Sequence, residues 1–269
     1  ASSDEQVLEA QDRAEIDGAL KVSGSLGTTN YSVMGVHTSP AEASFLHQGS
    51  AITREQAPAQ TYGVVRLQHG LDDRGSYLGF LGTSVHSASA TGRMADVAVL
   101  DGMWTPPDHN GFLAVNAAHA ATGDGNRDTT GWMGSFAGER KWASGLSFGG
   151  AMGSVGKDFE MDDLGYRPRN DERYVRIKSQ LFVDRYLGPL HNFEFTFSGG
   201  VNQDQAGRTF SRWVLGEGRI DHKAHYSLWF GAGLEQPSWD DRELRTYRDP
   251  VKKYLRRERR PKATLAFDT

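Results

Sequence analysis

The chain of 269 residues contains no cysteine, so it forms neither disulfide bonds nor thiolate metal sites. Its hydrophobic content is only 38%, and its mean hydropathy is -0.56. It has no run of about 18 apolar residues, which excludes a transmembrane helix. A membrane β-barrel stays open, because a barrel strand needs apolar residues only at alternate positions.

Several enzyme signatures are missing as well. The nine histidines form no HExxH pattern, the serines no GxSxG elbow, and the glycines no phosphate loop ending in GK[ST]. The net charge of -4 indicates no polyanionic partner, and we predict no nucleic-acid binding. We therefore predict that this chain is not an enzyme.

Glycine is abundant by contrast, with 32 residues scattered through segments that alternate like β-strands. In HNFEFTFSGG, from His191 to Gly200, three phenylalanines alternate with polar residues. In an extended strand they lie together on one face. Either a protein interior or the hydrocarbon of a membrane would cover such a face.

Alternation and turn residues predict thirteen strands and no convincing helix. The predicted ranges are 13–24, 29–38, 59–70, 76–87, 93–104, 111–120, 130–138, 143–152, 172–184, 191–201, 209–221, 225–236 and a last one from 262. Most reach the length of about 9–11 residues that a tilted strand needs to cross a bilayer. Short and longer connections alternate between them, as in outer-membrane barrels.

The predicted fold is therefore all-β, an antiparallel up-and-down transmembrane β-barrel with twelve or thirteen strands. We expect residues 1–269 to form a single barrel domain that is part of a longer barrel. The side chains predicted to face lipid are Ile16, Leu20, Val22, Val175, Ile177, Leu181, Val183, Phe193, Phe195, Phe197, Tyr226, Leu228, Phe230 and Leu234. Those predicted to face the lumen are Asp17, Lys21, Arg176, Lys178, Gln180 and Glu194. Arg212 and Glu217 are also predicted to face inward.

Aromatic residues near the predicted strand ends suggest an interfacial girdle. They are Trp104, Trp132, Trp142, Trp239, Tyr186 and Tyr226. The alternative is that aromatic residues simply favour β-structure.

Four segments resemble one bacterial family of outer-membrane-type barrels of unknown function. These segments are EIDGALKVSGSLGTTNYSVM, TYGVVRLQHGLDDRGSYLGFLGT, VGKDFEMDDLGYRPRNDE and WDDRELRTYRDP, of which the third is the most specific. In that family the barrel usually follows a family-nine carbohydrate-binding module, which this chain lacks. The resemblance implies a Gram-negative envelope protein in the outer membrane and supplies no catalytic residues.

One loop carries a partial calcium pattern. Asp124, Asn126 and Asp128 stand at alternate positions, as the oxygen ligands of a calcium loop would. The twelfth-position glutamate of an EF-hand is missing, and a hydrophilic turn explains the same residues. No other cofactor is expected.

Two charged segments complete the candidates. The acidic residues Asp158, Glu160, Asp162, Asp163, Asp171 and Glu172 lie near three arginines, which favours a structured extracellular loop over a catalytic carboxylate pair. The basic segment VKKYLRRERRPK is either a solvated loop or a contact for lipopolysaccharide phosphates.

The sequence thus predicts an integral outer-membrane protein that acts as a solute or polymer conduit or as an envelope scaffold. Its expected partners are outer-membrane lipid, lipopolysaccharide and other envelope proteins. The alternative is a soluble carbohydrate-active β-sandwich enzyme or lectin, because such folds also contain many strands.

Overall fold

The structure, a computed structural model, describes residues 5–10, 15–47, 50–88, 92, 94–123, 128–159, 170–240 and 255–268. These residues form β-strands, turns and short irregular segments, and none of them is helical. No helix in the described part of the chain is long and apolar enough to cross a membrane.

One antiparallel sheet of thirteen strands dominates the molecule. Its strands are β2 (Ile16–Leu26), β3 (Thr29–Thr38), β6 (Gln60–Gly70), β7 (Tyr77–Ser87), β8 (Met94–Trp104), β9 (Gly111–Gly123), β10 (Asp128–Lys141), β11 (Leu146–Val155), β12 (Glu172–Leu187), β13 (Leu190–Gln203), β14 (Thr209–His222), β15 (Ser227–Glu235) and β18 (Arg260–Asp268). Each strand pairs with the next large-sheet strand along the chain, so the topology is an up-and-down meander. All thirteen strands predicted from the sequence are present, and the all-β antiparallel prediction is confirmed.

Two smaller sheets were not predicted. The strands β1 (Glu5–Ala10), β4 (Ala41–His47) and β5 (Ser50–Ala57) form one, and β16 (Ser238–Asp240) and β17 (Leu255–Arg257) form the other. The connection 39–58, expected to be a long loop, is therefore mostly a β-hairpin. Its weak alternation gave no strand signal.

A second correction concerns the segment ATGDGNRDT, residues 121–129. It was expected to be one of the longer loops, but β9 extends to Gly123 and β10 starts at Asp128. Gly123 and Asp128 are cross-strand partners. Glycine and threonine, taken as turn residues, are tolerated inside a curved sheet, where small side chains permit close approach of neighbouring strands.

The two ends of the large sheet differ. At one end the connections are short, spanning 27–28, 71–76, 105–110, 142–145, 188–189 and 223–226. Gly27 has a φ of +60° there, a left-handed conformation that glycine adopts without steric cost. At the other end three connections are long, 39–59, 156–171 and 236–259, and three are short. The predicted alternation of short and longer connections is therefore only partial.

Candidate functional site

The register of the ladders assigns every side chain of the large sheet to one of two faces. Directly paired residues share a face, and successive residues alternate. Phe195 of β13 pairs with Leu181 and Gly218, and Phe197 pairs with Ser179 and Gly216. Followed from strand to strand, this rule separates an apolar face from a polar face across all thirteen strands.

The apolar face carries large hydrophobic side chains on almost every strand, and many of them are exposed. They include Leu20, Val22, Val33, Leu67, Leu78, Leu100, Leu113, Val115, Phe136, Phe148, Met152, Val175, Ile177, Phe197, Val214, Leu228 and Leu265. Phe136 is 43% and Phe197 is 46% exposed. An ordinary soluble sheet buries such a face.

The predicted lipid-facing residues fall together on this face with two exceptions. Tyr226 precedes β15, lies in the turn beside it and stacks on Phe267 at a centroid distance of 5.6 Å. Ile16 lies beyond a register shift in β2 and pairs with Thr38. The shared face follows from the register, and its contact with lipid stays a prediction.

Two adjacent grooves open on the apolar face. They have volumes of about 510 Å³ and about 450 Å³ and are lined mainly by apolar atoms. Phe136, Phe148 and Met152 line the second groove together with Gly138 and Gly150. A Cβ added to Gly138 would lie 2.7 Å from Leu113 Cδ2, so the absence of a side chain there lets Leu113 pack against the strand.

The polar face is less exposed than the apolar face. On β9 the apolar-face residues Leu113 and Val115 are exposed, whereas Asn116 is half-buried and Ala118 and Ala120 are buried. Strand β6 shows the same difference between Leu67, which is exposed, and Arg66, which is not. A consistent difference of this kind indicates that the sheet curves with its polar face on the concave side.

An ion pair crosses the concave face between alternate strands. The guanidinium of Arg66 on β6 binds both carboxylate oxygens of Asp101 on β8, with Nη2 to Oδ2 at 2.9 Å. Between them, on β7, lies Gly79. A Cβ added there would lie 2.7 Å from Asp101 Oδ1 and 2.8 Å from Arg66 Nη2. Glycine at this position is therefore what lets the pair, hereafter the Arg66–Asp101 bridge, span three strands.

Most predicted lumen-facing residues also lie on the polar face. Gln180 donates to Glu194 at 2.8 Å, and Arg176 stacks over the Tyr174 ring at 5.0 Å. Lys21 and Lys178 share this face by register, as does Glu217. The concave side thus carries both charges and partners for them.

Asp17 and Arg212 differ from this group. The register shift after Ile16 brings Asp17 beside Ser39, whose hydroxyl donates to it at 2.5 Å, and within 3.9 Å of His37. His37 belongs to the apolar face. Arg212 pairs with Val201 and so lies at the end of the apolar face. The alternation of polar and apolar residues in a sequence reveals neither a register shift, as at Asp17, nor where a strand begins, as near Arg212.

The concave face also has an apolar cluster around Phe159, which the sequence did not reveal. Phe159, in the connection after β11, is 2% exposed and packs on Val97, Ala118, Ala120 and Val155. These four positions belong to the polar face by register. The segment 156–159 therefore folds over the concave side instead of projecting away from it.

A glycine makes this packing possible. A Cβ added to Gly131 would lie 2.3 Å from the backbone of Phe159. The side chain of Gln205, in the β13–β14 turn, holds the adjoining strand end by donating to Ser154 Oγ at 3.0 Å and to the Val155 carbonyl at 2.9 Å. The backbone amide of Gln205 donates to Asp171 at 3.0 Å. The base of the 156–171 connection is thus fixed on both sides.

Carboxylates order the turns at the short-connection end. Asp72 accepts hydrogen bonds from the backbone amides of Arg74 and Ser76, both at 3.0 Å. The Arg74 guanidinium, followed by these donors, lowers the pKa of Asp72 to about 2. Arg140 holds the pKa of Asp108 below its usual value in the next turn through a two-pronged contact.

The described aromatic residues of the predicted girdle lie near both ends of the strands. Trp132 lies within β10, Trp142 lies in the turn that follows β10, and both side chains are exposed. Ten residues separate them, or about 33 Å along a strand. A barrel-like tilt of about 40° would reduce this to about 25 Å in height, which is the thickness of the apolar band of outer-membrane barrels. Trp104 is exposed near the short-connection end, and the side chains of Trp239 and Tyr186 lie outside the described set.

The structure describes only some residues of the calcium pattern and of the two charged segments. Asp124 and Asn126 lie outside the described residues, as do Glu160, Asp162, Asp163, Lys252 and Lys253, and Asp128 is exposed. In the described part of the chain no group of three or more histidine, aspartate or glutamate side chains is arranged to hold a metal ion. Arg259 and Arg260 are exposed next to the start of β18, at the long-connection end.

In comparisons with known proteins, no family model matches this chain. No curated protein matches it either. The resemblance to an outer-membrane barrel family therefore stays a prediction, and the function has to be argued from the two faces of the sheet.

Proposed function

We propose that the protein is an integral outer-membrane β-barrel protein of a Gram-negative bacterium. Its apolar face contacts lipid, and its polar face surrounds an enclosed interior that conducts solutes or polymers. The observation that carries this proposal is the exposed apolar face that continues across thirteen strands.

The apolar face is larger than the apolar patches of ordinary soluble monomers. Thirteen strands at about 4.8 Å spacing are about 58 Å wide, and an apolar band about 25 Å tall makes that well over 1,000 Å². The largest apolar patch on an ordinary soluble monomer is about 300–600 Å². Lipid acyl chains would cover the larger area without a second protein layer.

A soluble carbohydrate-active β-sandwich would need a second sheet packed on the apolar face. The described residues contribute only the sheet of β1, β4 and β5 and the β16–β17 pair outside the large sheet. Neither is wide enough to cover thirteen strands, which favours the membrane proposal over the sandwich.

The long-connection end fits the outer surface of the cell. In outer-membrane barrels the long loops are extracellular. Arg259 and Arg260 are exposed at that end, where charge-assisted bonds to lipopolysaccharide phosphates are available. We propose that this basic segment contacts lipopolysaccharide.

A scaffold that holds other envelope proteins is the second candidate. The Arg66–Asp101 bridge and the packing of Phe159 on the concave face fill part of the interior. A filled barrel would span the membrane without conducting. Single-channel recording in a planar bilayer distinguishes the two, since stable conductance supports the conduit and its absence supports the scaffold.

Flotation with liposomes tests the membrane proposal itself. We expect the protein to float with vesicles after extraction with alkaline carbonate, and to show heat-modifiable gel mobility. Brominated acyl chains should quench its tryptophan fluorescence, because Trp104, Trp132 and Trp142 are exposed near the strand ends. A protein that stays in the dense fraction without detergent would refute the proposal.

A further inference from the structure

The polar face of strands β12 to β15 carries two exposed aromatic rings. Phe182 on β12 is 42% exposed, and Trp229 on β15 is 43% exposed. They belong to one row of directly paired residues, hereafter the aromatic row, which runs Phe182, Glu194, Arg219, Trp229 from β12 to β15. The face proposed to contact lipid is the opposite one, so lipid does not cover these two rings.

The surroundings of Trp229 hold its ring on one side and leave it open on the others. The guanidinium carbon of Arg219 lies 4.7 Å from the ring centroid, a cation–π contact. The other neighbours on this face are small: Ala266 is the partner on β18, and Ser227 and Gly231 lie two residues away along β15. The ring is therefore positioned and at the same time accessible.

Polar side chains form a second row beside the aromatic row. This polar row runs Gln180, Thr196, Glu217, Gly231, Thr264 from β12 to β18. A cleft of about 160 Å³ is lined by residues of both rows, among them Glu194, Glu217 and Trp229. A second cleft of about 260 Å³ is lined by Gln180 and Phe182, so the two clefts lie on either side of the β12–β13 ladder.

The polar groups of the clefts offer hydrogen-bond acceptors. The amide of Gln180 donates to Oε1 of Glu194 at 2.8 Å. Among the residues that the structure describes, nothing bonds to Oε2 of Glu194 or to the carboxylate of Glu217. The Arg219 guanidinium is engaged, because its Nε donates to Asp221 at 2.8 Å. The clefts thus combine accessible carboxylates with exposed aromatic rings.

This combination fits a neutral sugar chain. The hydroxyl groups of a sugar donate charge-assisted hydrogen bonds to carboxylates, and the C–H face of a pyranose ring packs on an aromatic ring. An anionic ligand would be repelled by Glu194 and Glu217. Phe182 and Trp229 lie three strand spacings apart, about 14 Å, so a ligand that contacts both rings is longer than one sugar ring.

We propose that the aromatic row and the polar row together bind a neutral oligosaccharide. Trp229 and Phe182 contact its ring faces, and Glu194 and Glu217 accept hydrogen bonds from its hydroxyl groups. The inference rests on the proposed function, in which the polar face surrounds the interior of a conduit, and it names a neutral glycan as the polymer that the conduit conducts.

Titration of the purified full chain, folded in detergent micelles, tests this binding. The probes are maltohexaose, cellohexaose, mannohexaose and xylohexaose, and the readouts are tryptophan fluorescence and isothermal titration calorimetry. We expect at least one neutral hexasaccharide to bind and to change the fluorescence. We expect hexagalacturonate, which carries a carboxylate on each ring, not to bind.

Substitutions locate the site. Trp229→Ala should raise the Kd at least about tenfold, because it removes an aromatic anchor, and Trp229→Phe should restore most of the affinity. Glu217→Ala should weaken binding as well. Trp132→Ala is the matched control, since Trp132 is also exposed but lies on the apolar face, and it should leave the Kd unchanged. Circular dichroism confirms that each variant is folded.

Binding of none of the neutral hexasaccharides to the folded protein would overturn the inference. An unchanged Kd in Trp229→Ala, or an equal loss in Trp132→Ala, would overturn the site, and preference for hexagalacturonate would overturn the ligand class. Flotation reports on the membrane proposal separately. A protein that binds through Trp229 but stays in the dense fraction refutes the membrane location alone, and one that floats without binding refutes the sugar site alone.

Discussion

A charged residue in the middle of the apolar face should destabilise the protein in lipid far more than the same residue on the polar face. Phe136 lies on β10 four residues after Trp132 and six before Trp142, near the middle of the expected apolar band. Its neighbour Ala137 points to the opposite face, where its cross-strand partners are Ala114 and Ala151. The substitutions Phe136→Arg and Ala137→Arg therefore form a matched pair.

The magnitude follows from exposure and depth. Arginine at the bilayer midplane of a barrel costs about 2–4 kcal/mol. Phe136 is 43% exposed, so lipid would bury somewhat less than half of its side chain. Replacing Phe136 would lose that burial, which contributes about 1 kcal/mol. We expect Phe136→Arg to lower the free energy of unfolding by about 3–5 kcal/mol in vesicles. For Ala137→Arg we expect less than about 1 kcal/mol, because both of its cross-strand partners are alanines and this face of the sheet is polar.

The assay is reversible denaturant unfolding in lipid vesicles, followed by tryptophan fluorescence and by heat-modifiable gel mobility. In water an exposed Phe-to-Arg change alters stability by no more than about 0.5 kcal/mol. A result in which Phe136→Arg is neutral and Ala137→Arg is the more damaging change would refute the assignment of the two faces.

Three further changes test the concave face and the turns. Phe159→Ala should lower the free energy of unfolding by up to about 3–5 kcal/mol and raise any single-channel conductance, because it empties a buried site. Phe159→Leu should have a smaller effect. Unchanged stability would contradict the packing of Phe159. Gly79→Ala should lower the free energy of unfolding by about 1–3 kcal/mol, because the new Cβ displaces the Arg66–Asp101 bridge. Gly63→Ala is the control, since its new Cβ has no atom within 4 Å, and it should have no such effect. Equal losses of stability would rule out a role for the bridge. The Asp72 carboxylate, with a folded pKa of about 2 against an ordinary 3.8, stabilises its turn above pH 3.8 and loses that contribution as the pH falls through about 2. Backbone amide exchange in the turn should show this transition, and Asp72→Asn should abolish it.

Local patterns were sufficient for the strands themselves. The segment 29–38 was predicted with the bounds of β3, and the alternation in HNFEFTFSGG gave the faces of β13 that the ladder register shows. Such patterns are visible because the period of two is a property of the extended backbone and needs no partner. The β4–β5 hairpin escaped because its alternation is weak.

The polar face could be predicted only in part. The sequence grouped Lys178, Gln180 and Glu194 correctly by alternation. It misplaced Arg212, which lies near the beginning of β14, and missed the Arg66–Asp101 bridge. A contact between alternate strands depends on the residue that lies between them, and here that residue is Gly79.

The sequence by itself determined that the chain is all-β, where its long strands lie and which of their residues share a face, because these depend on backbone periodicity. Only the tertiary structure decided the strand order, the curvature towards the polar face and the place of Phe159 on the concave side. Those features depend on ladder register and on close approaches over glycines, which join residues far apart in the chain.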